Sequence, residues 1–178
     1  MAGSRGDERA WIRGAQSGSV PDLEALFKHH WPRAYRAAYL VVHDSGAAED
    51  IAQEAFLAAV RSLDRFDRRR PFGPWLHRIV VNRAIDWSRS RALRRESGDA
   101  ALALVAAAAP AERDDTEPLA AALADLSPEH RAVIVMRHLL DYTPGEIAEA
   151  LGLPRGTVNS RLRRGLDELA GKLDEDLR

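Results

Sequence analysis

Arg155, Thr157, Asn159, Ser160, Arg163 and Arg164 lie close together near the end of the chain, and their chemistry is that of recognition. Arginine forks match guanine edges or phosphates, and an asparagine amide pairs in bidentate fashion with adenine. Asn159 and Arg163 stand one helical turn apart; Ser160 and Arg164 form the neighbouring row. Between residues 155 and 165 there are four arginines and no acid. Arg155, nearer the helix start, is expected on phosphate. A second group lies between Arg65 and Arg95, where ten arginines face two aspartates, a local charge of +8. Phe66, Phe72 and Trp75 are interleaved with it. That pattern suits a surface that holds phosphates and stacks exposed bases. A solvated basic helix over core aromatics explains the same composition, and the segment alone does not choose between them.

Catalysis is not expected. The chain has no glycine-rich phosphate loop, nucleophile elbow or paired-histidine metal spacing. Its six histidines are scattered and read as solvent-facing or structural. Glu49, Asp50, Gln53 and Glu54 fall on an outward helix face, where nothing would raise a carboxylate pKa for proton transfer. No cofactor, metal or small-molecule substrate is implied. There is no cysteine, which excludes disulfides, thiolate zinc sites and thiol redox sensing. No apolar run approaches a membrane span and no signal-peptide pattern is present, so a cytoplasmic protein without membrane insertion is expected.

These residues need helices to position them, and the patterning predicts an all-α chain. Residues 1–19 read as a polar N-terminal extension with Trp11 and Ile12 as local anchors. From Val20-Pro21-Asp22, the apolar residues Leu23, Leu26, Phe27, Trp31, Tyr35, Ala38 and Tyr39 recur at three and four, a helix to about Val42 that Pro32 can bend. After the turn residues His43 to Gly46, a second helix buries Ile51, Ala52, Ala55, Phe56, Ala59 and Val60. Arg65 to Pro74 is a basic loop. A third helix runs from Trp75 to about Leu93, with Leu76, Ile79, Val80, Ala84 and Trp87 inward. His77, Arg78, Asn82 and Arg83 point outward or sideways. The first domain is therefore 20–95.

From Glu96 to Asp125 the charge reverses to −6, around an alanine-rich run and two prolines. Residues 96–118 read as a flexible acidic linker. It offsets the basic segments and leaves a net charge of −1. The second domain, 119–178, opens with Ser127 as N-cap. Thr143, Pro144 and Glu146 then start a short helix with a capping box, and Gly152 and Pro154 end it. A second helix begins at about Arg155 with Val158, Leu162 and Leu166 inward. Short helix, tight turn and basic second helix make a helix-turn-helix that reads a major groove. The tail from Asp167 is amphipathic and then acidic.

Three blocks, in this order, resemble the extracytoplasmic-function sigma factors of the sigma-70 family. Ala48 to Phe56 is similar to the family's polymerase-binding helix. Phe72 to Asp86 is similar to its −10 segment. Glu146-Ile147-Ala148 with Gly156 to Leu162 is similar to its −35 reader. The resemblance implies that Glu49, Asp50, Gln53 and Glu54 dock on the beta-prime clamp helices of core RNA polymerase. It implies that Phe66, Arg68, Arg69, Arg70, Trp75, Arg78, Asn82 and Arg83 open and hold the −10 strand. Arg155, Thr157, Asn159, Ser160, Arg163 and Arg164 would read the −35 element, with this domain also meeting the beta flap. Promoter DNA and an anti-sigma factor are implied partners, the latter able to hold the chain at the inner membrane face. Trp75 is followed by Leu76 where housekeeping members carry neighbouring aromatics, which implies a weak melting wedge and near-consensus promoters. Asn159 stands where a cation is common, which implies an unusual −35 preference. The rival reading is a stand-alone helix-turn-helix repressor or activator. Such a protein is normally a symmetric dimer, and no dimerisation heptad is evident.

Overall fold

Capping chemistry sets most of the helix starts in the computed structural model, which describes residues 5–96 and 121–176. Ser19 accepts from Asp22 N at 3.4 Å and opens α2 (Val20–Val42), which continues through Pro32. Asp44 accepts from Ala47 N at 3.0 Å and opens α3 (Ser45–Ser62). A 3-10 turn, Leu63–Arg65, leads into the basic loop. α4 (Phe72–Glu96) starts three residues before the expected Trp75. Ser127 caps α5 (Pro128–His138), as expected. In front of α2 stands α1 (Arg5–Gln16). All described elements are helical or turn, with no strand among the described residues. The expected linker 96–118 lies outside them, apart from Glu96 at the end of α4.

The segment read as an N-terminal extension is instead part of the first helical unit. α1 packs on α2 and buries Ile12 to 1% exposure. Gln16 Nε2 donates to the carbonyls of Leu63 and Phe66 at 2.8 and 3.1 Å, fixing the end of α1 to the start of the basic loop.

α2, α3 and α4 pack mutually around Leu26, Leu40, Ala55, Phe56, Leu76, Val80 and Val81, all buried. Each large side chain there contributes roughly 1.5–3 kcal/mol by leaving water. The buried face of α2 carries Leu26, Ala34, Ala37, Ala38 and Val41. The aromatic series Phe27, Trp31, Tyr35 and Tyr39 runs beside it as a ladder, its rings 4.9 to 6.3 Å apart in succession.

Three side-chain assignments change. Val60 is 39% exposed, on the rim of a groove that it lines with Val20, Leu23 and Phe27 of α2. His77 is buried, at 5% exposure. Its ring lies between the first unit and Tyr142 of the second, whose centroid is 6.4 Å away. Leu166 is 42% exposed, because Gly165 takes the inward place in its helix. A Cβ at Gly165 would stand 2.8 Å from Ile134 Cδ1 and 3.3 Å from His130 Cβ, so a larger residue there would require these side chains of α5 to shift.

Candidate nucleic-acid interface

The second unit is built to present one helix. Thr143 Oγ1 accepts from Glu146 N at 3.3 Å, and Glu146 Oε2 accepts from Thr143 N at 2.7 Å, so the capping box closes α6 (Pro144–Leu151) at its start. The Thr143 hydroxyl and backbone N–H hold the Glu146 carboxyl below its ordinary range. Gly152 has φ 64°, and Leu153 N donates to Ala148 O at 2.9 Å, so the chain leaves α6 in a left-handed turn. α7 (Arg155–Asp176) follows at once. Val158 and Leu162 face α5 and α6, buried at 0% and 8% exposure.

That packing leaves Arg155, Asn159, Arg163 and Arg164 on the exposed side, and Thr157 and Ser160 at its margin. Ser160 Oγ donates to Thr157 O at 3.0 Å within the helix, so its hydroxyl proton is engaged. Arg161 lies on the flank towards Glu129, whose carboxyl it helps to hold ionised.

In the first unit, Arg68, Arg69 and Arg70 are exposed on the loop. Arg69 Nε and Nη2 reach Asp67 at 3.0 Å, and Asp67 also accepts from Arg69 N. These bonds, the side-chain ones foremost, push the Asp67 carboxyl down to about 2. Phe66 is buried rather than open. Its ring stands 4.7 Å from Trp75 and 5.7 Å from Phe72, so it braces the loop from beneath. Trp75 is half-buried at the edge of the same cluster, and Arg78 is exposed.

Asn82 and Arg83 both already have partners. Asn82 Nδ2 donates to Ala150 O at 3.3 Å, a carbonyl in the last turn of α6. Arg83 Nη1 donates to Glu54 Oε2 at 2.6 Å. The two halves meet elsewhere too. Tyr142 Oη donates to Pro74 O at 3.0 Å, and Arg33 grips Leu139 O at 2.6 Å and Asp141 at 2.8 Å. Arg89 pairs with Glu129 at 2.9 Å.

Glu49, Asp50, Gln53 and Glu54 are all exposed along α3, with Gln53 Nε2 donating to Glu49 at 3.1 Å. Beside Gln53 runs an apolar groove lined by Val20, Leu23, Phe27, Phe56, Leu57 and Val60. Val60 reads as inward because it fits the apolar helical period, whereas Leu57, which lies outside that period, is given no place by it; both are exposed. No group of described histidines and carboxylates is arranged to hold a metal. No described helix is long and apolar enough to cross a membrane.

Residues 26–94 match the family model for sigma-70 region 2, and residues 116–169 that for sigma-70 region 4. The chain is 33% identical over 171 residues to ECF RNA polymerase sigma factor SigL of Mycobacterium tuberculosis, covering 93% of this chain and 97% of that one. It is 32% identical over 165 residues to RNA polymerase sigma factor CarQ of Myxococcus xanthus, covering 90% and 94%. Against SigE of Mycolicibacterium smegmatis the identity is 34%, and the match takes in 85% of this chain but only 61% of that longer protein. The solved structure of CnrH in complex with the cytosolic domain of CnrY is similar at a TM-score of 0.69 and 29% identity, covering 96% of this chain and 99% of that one. Two helical units, the second a helix-turn-helix, thus define a transcription initiation factor of sigma-70 type. The chain belongs to the extracytoplasmic-function group of RNA polymerase sigma factors. As such it directs RNA polymerase to promoters and carries out no chemistry of its own.

The exposed row on α7 makes a separable prediction. Asn159→Ala should cost roughly 1–3 kcal/mol at the cognate −35 sequence and relax preference at one base pair. Arg155→Ala should weaken all sequences alike and lower the salt slope by about one. Selection of a randomised −35 library by holoenzyme measures the first, and a salt titration the second. An unchanged base preference for Asn159→Ala would mean that this face does not enter the groove.

Proposed function

We propose that the exposed face of α3, through Glu49, Asp50, Gln53 and Glu54, docks on the clamp helices of core RNA polymerase. The 3-10 turn, basic loop and α4 then take the −10 element. Arg68, Arg69 and Arg70 guide the strand, Trp75 stands at the melting edge, and Asn82 with Arg78 and Arg83 contacts the strand beyond it. Phe66 shapes this pocket from below. α7 reads the −35 element through Arg155, Thr157, Asn159, Ser160, Arg163 and Arg164, while its domain meets the beta flap. The division is 20–95 and 119–178 about the linker 96–118, with α1 joined to the first part. The observation that carries the assignment is the exposed α7 row, free of acid, set by a closed capping box and a left-handed turn.

Control by an anti-sigma factor is part of this reading. CnrH was solved with the cytosolic domain of CnrY, and this chain matches nearly all of CnrH. The protein works in the cytoplasm, and such a partner can hold it at the membrane face.

Run-off transcription with core polymerase tests the whole. The full chain plus core should start transcripts at promoters selected from a fragment library, and neither alone should do so. Tight, specific operator binding by the isolated chain, with no polymerase-dependent transcript, would instead identify a repressor.

A further inference from the structure

α1 carries Arg9 and Arg13 one turn apart, both exposed. They line a hollow of about 300 Å³ together with Arg68 and Arg69 of the basic loop. A second hollow of about 290 Å³, lined by Glu8, Arg9, Ile12, Arg69, Arg70 and Pro71, shares Arg9 and Arg69 with it. Two acids stand close by, each with a partner of its own. Asp67 is taken by Arg69, and Glu8 Oε1 lies 3.2 Å from His30 Nε2. Among the described residues, none of Arg9, Arg13, Arg68 and Arg70 forms an ion pair with a carboxylate. Arg69 alone of this group is neutralised by a carboxylate, and the remaining like charges repel, so a fixed scaffold is needed to keep them together. Gln16 supplies it, by tying α1 to Leu63 O and Phe66 O at the root of the loop. Arginine forks converging on one open hollow suit the non-bridging oxygens of successive phosphates.

We propose that Arg9 and Arg13 complete, with Arg68 and Arg69, a phosphate cradle that holds the single DNA strand where it runs past the −10 segment. The ligand is the strand's backbone, so the cradle is indifferent to base sequence. This inference rests on the −10 assignment above and adds a second element, α1, to that site.

The test uses holoenzyme formed from the full chain and core polymerase, with fluorescent single-stranded non-template DNA. One oligonucleotide contains the −10 segment alone; the other adds flanking nucleotides on both sides. Arg9→Gln/Arg13→Gln should erase most of the affinity gained from the flanks. It should reduce the log–log salt slope on the longer strand by about 1.4, two contacts at roughly 0.7 each. Arg9→Lys/Arg13→Lys should keep most of that slope, which shows that charge rather than helix structure is at work. Equal affinity and slope for wild type and the glutamine variant, with wild type still preferring promoter sequence, overturn the cradle and leave the −10 assignment standing. Failure of wild-type holoenzyme to prefer the promoter strand overturns both. Loss of core binding by the glutamine variant, with an unchanged DNA slope, assigns the hollow to a protein partner and also overturns the proposal.

Discussion

Asp50→Arg should remove most of the chain's affinity for core polymerase. Asp50 is exposed on α3, three residues before Gln53 and four before Glu54, so all three share a face. A charge pair at the rim of an interface is worth well under about 1 kcal/mol. A reversed charge held against a basic partner is different, because repulsion replaces attraction where water is excluded. The loss should then reach about 2 kcal/mol or more, roughly thirtyfold in Kd. The fold should survive, since the side chain stands in solvent beside Glu54 and Asp86 as well as Arg83. Pull-down of core polymerase measures the effect, with circular dichroism as the control on helicity. Undiminished pull-down would remove Asp50 from the docking face.

Mild acid should weaken the fold through His77. Burial, then the charge of His30, then that of Arg33, push its imidazole from an ordinary 6.5 down to about 3. Neither ring nitrogen has a hydrogen-bond partner among the described residues. A depressed pKa means that the unfolded chain takes up a proton below 6.5 while the folded chain does not. Stability is therefore intact above pH 6.5 and falls as pH drops towards 3. At about pH 4.5 the loss from this residue is roughly 2–3 kcal/mol. His43, driven down to about 4 chiefly by burial, acts in the same direction. The carboxylates of Glu8 and Glu129, held below their ordinary range, lose their contribution only at lower pH. Urea unfolding at about pH 7 and 4.5 should show the drop in wild type, and His77→Phe should recover much of it. An identical pH dependence in the variant would show that His77 charges without cost in the folded state.

Local chemistry was the legible part of the sequence. Ser127, Thr143, Glu146 and Gly152 act within a turn of where they stand, so residue type and spacing sufficed to place α5, α6 and the start of α7. The inward positions Val158 and Leu162 followed from period alone. What failed depended on a second element arriving from elsewhere. Leu166 fits the period, yet Gly165 is the residue that α5 needs close. His77 looks polar and outward until Tyr142 of the other unit covers it. α1 was read as an extension because its anchor, Gln16, is a polar residue whose partners are carbonyls 47 and 50 positions away. For the same reason Arg9 and Arg13 went unremarked: their neighbours Arg68 and Arg69 are close only in space.

The Asn82 amide nitrogen carries two N–H donors, and Ala150 O takes one of them. If the proposed −10 strand takes the N–H that Ala150 O now holds, that bond must open and the end of α6 must move aside. Under the proposed −10 assignment, clasp and strand then compete for the same N–H and are thermodynamically linked. Whatever factor the closed clasp subtracts from strand affinity, a bound strand subtracts from the clasp. Under that assignment, holding the helix-turn-helix away on a distant groove would raise the first unit's affinity for its strand by that same factor, with no contact between the two DNA sites.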